Sequence, residues 1–189
     1  MAGFNQRRQI MDELYYHEDD YCGIELIPLE NEHFIKNEQN EILLFSEKHK
    51  VAEGIYSDVY VRNEIPKKLE DYKIDYVKMD KKLSEIAIKY EKVTTGYGFE
   101  DECKNTTGYV FNEINIFVKN NGEYITRIWF DFYLSKSSIA TDLYKILKVI
   151  VGDYDLIFVD WFWGFYSYVK HDLELERKLL EISEELSKE

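Results

Sequence analysis

The order of elements in this chain predicts an α+β fold, with a largely antiparallel sheet and helices packed on one face. Three observations carry that prediction. Short β-branched and aromatic runs separated by polar turns occupy the first third, a hairpin signal lies between Tyr109 and Tyr133, and the chain closes as strand–helix–strand–helix. At 189 residues, 45% hydrophobic and with 16 Tyr, 11 Phe and 3 Trp, residues 1–189 form a single domain that can bury one core without staples.

The elements follow in order. Residues 5–17 read as a first helix with Ile10, Met11 and Leu14 facing inward. Runs 24–29, 42–45 and 55–61 read as strands, with 47–54 as a hairpin loop between the second and third. From Pro66 to Lys92, Leu69, Tyr72, Tyr76, Met79, Leu83, Ile86 and Tyr90 recur at helical spacing. Residues 67–77 stay open between helix and strand, and in the strand reading Asp80 caps a shorter helix. For the hairpin, a three-residue loop Asn120-Asn121-Gly122 sets Ile114, Ile116 and Val118 beside Ile128, Thr126 and Tyr124, and Lys119 across from Glu123. A helix starting at 135–138 then carries the stripe Ile139, Leu143, Ile146, Leu147 and Ile150 up to Gly152. Residues 155–161 read as a buried strand, and a last helix from about Val169 presents Leu175, Leu179, Ile182 and Leu186 on one side. In the aromatic run 160–168, Trp161 and Phe162 are expected in the core, while the residues beyond Gly164 divide between core and interface.

No signature of catalysis stands out. Gly96-Tyr97-Gly98 lacks the third glycine and the strand-to-helix setting of a nucleotide loop. His17, Cys22, His33 and Cys103 match no compact zinc spacing, so no metal and no cofactor is expected. Glu113, Asp131 and Asp160, on or beside predicted strands, are the carboxylates a metal-dependent hydrolase would use, but no lysine and no basic groove accompany them. Two cysteines without a signal peptide point to a reducing, cytoplasmic setting. No run approaches the ~18 apolar residues of a spanning helix, so no membrane contact is expected.

Charge is the outstanding feature. Between Asp12 and Glu41 ten acids face one base, Lys36, which places −9 of the formal −13 in thirty residues. Tyr15, Tyr16, Tyr21 and Phe34 are threaded among them. Such a segment repels nucleic acid and attracts a basic surface. In composition and size the chain resembles the immunity proteins of bacterial toxin systems, a likeness of class that spans the whole chain. The resemblance implies a non-catalytic inhibitor that binds a basic partner protein one-to-one, its carboxylates standing in for phosphates. The candidate contacts are Glu18, Asp19, Asp20, Tyr21, Glu30 and Glu32. Two alternatives accompany it: the hydrolase above, and an oligomeric module in which the Tyr76–Met79–Leu83–Tyr90 stripe meets another copy.

Overall fold

The computed structural model describes residues 13–96, 101–132, 137–152, 154–170 and 175–181. The chain runs through β1 (Glu13–Tyr15), β2 (Ile24–Pro28), α1 (Glu32–His49), β3 (Lys50–Ala52), β4 (Ile55–Tyr56), α2 (Tyr76–Ser84), β5 (Ile88–Tyr90), β6 (Lys92–Thr95) and β7 (Asp101–Glu102). It continues through β8 (Thr106–Phe111), β9 (Ile114–Asn120), β10 (Ile125–Asp131), α3 (Ser137–Val151), β11 (Leu156–Asp160) and β12 (Phe165–Tyr168), and residues 175–181 are helical. Seven strands make the central sheet in the order β12-β11-β2-β10-β9-β8-β5, every neighbouring pair antiparallel. This is an α+β fold.

Alternation along the strands gives the sheet two apolar faces. On one, Leu26, Ile116, Val118, Ile128, Phe130 and Phe158 meet Met79 and Leu83 of α2, the expected stripe of α3, and Leu175 and Leu179. Gly152, at φ 50°, ends α3 as its left-handed cap. The other face is covered in two halves. Ile35 of α1 packs on Ile27, Ile157 and Val159, while Leu14 and Val93, from the small sheet β1-β6-β7, pack with Phe117 and Trp129. Helices α2 and α3 thus share one face, and α1 lies against the other.

Several local expectations give way. Residues 13–15 are a strand parallel to β6, not part of a helix; residues 5–12 of that expected helix lie outside the described residues, as do Ser135, Ile182 and Leu186. The run 42–45 is helical because it prolongs the stripe Ile35, Glu38, Ile42, Phe45 and His49 along α1. Only Ile55 and Tyr56 of the run 55–61 pair, and they pair with β3. In the ambiguous stretch, Leu69–Tyr72 is a 3-10 turn, and Asp75, not Asp80, caps α2 by accepting from Lys78 N at 2.9 Å. The helix stops at Ser84, and residues 88–90 become an edge strand, so the helical stripe never reaches Tyr90. Its members Met79 and Leu83 are consumed by the core, which removes them as a face for another copy. The hairpin loop is four residues, 121–124, because Asn121 Oδ1 accepts from both Glu123 N and Tyr124 N. With a bulge between Ile125 and Arg127, Ile116 faces Phe130, Val118 faces Ile128 and Lys119 faces Arg127 rather than Glu123.

Candidate functional site

Strand β2 sorts the predicted contacts. Glu18, Asp19, Asp20 and Tyr21 precede it and Glu30 and Glu32 follow it, so five extended residues, roughly 16 Å, separate the two groups. At the far end, Glu30 accepts from Tyr72 Oη, and Glu32 pairs with Lys36, whose hydrogen bond holds its carboxyl below the usual range. Those two acids are occupied. At the near end Glu18 and Asp19 are exposed on a 3-10 turn, with Asp19 N donating to His17 Nδ1. Burial, reinforced by Asp131 nearby, raises the Asp20 carboxyl. Tyr21 is half-buried, its ring edge-on to Trp129 at 5.1 Å and beneath the Arg127 guanidinium at 5.7 Å. It braces the turn more than it faces outward.

Among the described acids that remain, Glu25 and Glu38 are internal struts, and Glu13 and Glu41 are paired. Glu25, buried on β2, takes Arg62 at 3.1 Å and Trp161 Nε1 at 3.0 Å, with Arg127 at 3.9 Å. Glu38 is buried too, and accepts from Asn63 N, Asn63 Nδ2 and Tyr60 Oη. Glu41 also accepts from Tyr60 Oη, and Glu13 pairs with Lys92. The segment's charge is therefore not one continuous face; its outward focus is the turn Glu18–Asp20.

Beside that turn lies a feature the sequence reading missed. Trp161 is buried as expected, under the Arg62 guanidinium at 4.7 Å, and its backbone N–H donates to Gly23 O at 2.9 Å. Phe162 was expected in the core but is 60% exposed, and Trp163 is 57% exposed. The cause is Asp160, whose Oδ1 accepts from Phe162 N at 2.9 Å and Trp163 N at 3.0 Å, folding the chain into a tight turn closed by Gly164 at φ 60°. The pattern Asp-x-x-x-Gly ahead of Phe165 was the available signal. A turn held at both ends expels what lies between. The Phe162 ring lies over Gly23, where a Cβ would come within 2.2 Å of it, and Gly23 N donates to Asp20 O, so Phe162 adjoins the acidic turn.

Glu113, Asp131 and Asp160 do not converge. Glu113 is exposed between β8 and β9, Asp131 accepts from Asn115 Nδ2 at 3.0 Å, and Asp160 is buried in its own turn. A cavity of about 490 Å³ beside Tyr16, Tyr21 and Trp129 has none of the three in its wall. Among the described residues no three of His, Cys, Asp and Glu are grouped to hold a metal ion, and no helix is long and apolar enough to cross a membrane. Cys22 is buried and its thiol pushed up to about 12 by that burial, which makes it a poor nucleophile. Comparison with known protein families, curated proteins and solved structures found no match to this chain.

Proposed function

We propose that this chain is a non-catalytic acidic binding protein that inhibits a basic partner protein, acting in the cytoplasm as an immunity protein neutralising a bacterial toxin. The observation that supports this reading is the exposed Phe162 ring lying over Gly23, which closes the Glu18–Asp20 turn by donating to Asp20 O, with the exposed Trp163 next to it in the chain. A surface Trp and Phe at more than half exposure are costly in water unless something covers them, and rigid rings are what interface hot spots favour. The net charge of −13 steers a cationic partner from a distance, the turn carboxylates meet its lysines and arginines, and Trp163 accepts a guanidinium over its face. The same field opposes a polyanion, so nucleic acid is not the ligand.

The test is capture of basic proteins from a lysate of the source cell, comparing the native chain with Glu18→Gln/Asp19→Asn/Asp20→Asn and with Trp163→Ala. The captured partner binds at least roughly tenfold more weakly to each variant. Retention of full affinity by both variants removes this surface from the interface.

A further inference from the structure

The C-terminal half of α1, the β3–β4 hairpin and the segment up to Arg62 form an arm with no cover among the described residues. Leu43 and Leu44 (65% exposed) on α1, Val51 and Ile55 on the hairpin, and Val59 (80%) and Val61 (82%) beyond it all face outward. The arm is not loose. Tyr60 Oη donates to Glu38 and Glu41, Asn63 N donates to Glu38, and Phe45 stacks on His49 at 4.1 Å and meets Tyr60 edge-on at 5.3 Å. Because Tyr60 and Arg62 are pinned inward, Val59 and Val61 are held outward by construction.

We infer that this arm is the surface through which the protein pairs with a second copy of itself. Three observations select that occupant. From Glu41 to Arg62 four acids face three bases, a net −1, so the rest of the chain holds −12. Two such molecules repel wherever their acidic bodies meet, and this near-neutral stretch is where they approach without penalty. A basic partner finds no attraction there. Second, the six side chains present on the order of 600 Å², above a scattered surface background and close to the ~800 Å² each partner gives to a standard interface. Third, among the described residues β3 and β4 pair with each other alone, and a lone two-stranded hairpin is marginal in water; a second hairpin against its open edge supplies the missing strands.

Sedimentation equilibrium between about 1 and about 100 µM reads this directly. The native chain sediments at twice 22.7 kDa at the upper end, and 1 M salt does not dissociate it, since apolar contact is unscreened and body repulsion is reduced. Leu44→Lys/Val59→Lys/Val61→Lys, all at exposed positions, returns the mass to 22.7 kDa with unchanged circular dichroism, while Val77→Lys, exposed on α2 outside the arm, leaves the dimer intact. Hydrogen exchange of the native chain adds a readout independent of the variants, with protection of residues 50–56 rising with concentration. A native chain that stays at 22.7 kDa, a dimer that survives the triple substitution, or hairpin exchange indifferent to concentration each overturns the inference.

Discussion

Asp160 shows how one side chain serves architecture and surface together. Its carboxylate holds the turn that pushes Phe162 and Trp163 outward, yet it is buried, and burial raises it from 3.8 to about 6. The folded state therefore holds the proton more tightly than the unfolded chain. The associated stability is fully present below about pH 4 and is lost as pH rises through 6, by an amount on the order of 2–3 kcal/mol. Asp160→Asn keeps an acceptor for both N–H groups and removes the charge. Urea unfolding from pH 4 to 7 then shows the variant gaining on the native chain as pH rises, with most of the difference arising between pH 4 and 6. Glu25 makes the complementary case. Arg62→Ala leaves its buried carboxylate with only Trp161 and a distant Arg127, which costs about 3 kcal/mol in denaturant melts.

Strands β9 and β10, helix α3 and strand β11 are where sequence and structure agree as elements, whereas β8 and β12 were not singled out as strands. The β9 and β10 alternations, the α3 stripe and the apolar run of β11 are long enough for one period to dominate, so their neighbours could not redirect them. Residues 42–45 were too short for that, and the good helix formers on either side decided their state. The hairpin register was missed for a different reason, because a side chain, Asn121, captured two backbone N–H groups and lengthened the loop. Closer packing than any pattern reveals occurs at Gly108 on β8, where the small sheet crosses the large one. A Cβ there would stand 2.7 Å from Leu14 Cδ2 and 3.2 Å from Val93 Cγ2. Gly108→Ala is therefore expected to cost about 1–2 kcal/mol by pushing β1 and β6 outward, measurable as a lowered urea midpoint with unchanged slope.

Over the molecule as a whole, two surfaces of opposite character sit on one frame. Association through the Glu18–Asp20 turn weakens as salt rises, whereas pairing through the arm does not, so a salt series with a captured partner separates the two in one experiment. Read along the chain, the thirty-residue acidic stretch looks like one docking face; folded, it holds two internal struts, several paired carboxylates and one exposed turn. Fold class, the antiparallel pairing and the apolar stripe of α3 were legible in the amino-acid order because periodicity is a local property that survives any arrangement of distant parts. The fate of each charge and ring was settled in three dimensions. Glu25 is paired with Arg62, 37 positions away, and accepts from Trp161 Nε1, 136 positions away, and no spacing rule reaches that far. Burial of a polar group depends on who arrives beside it, and that is known only once the chain has closed on itself.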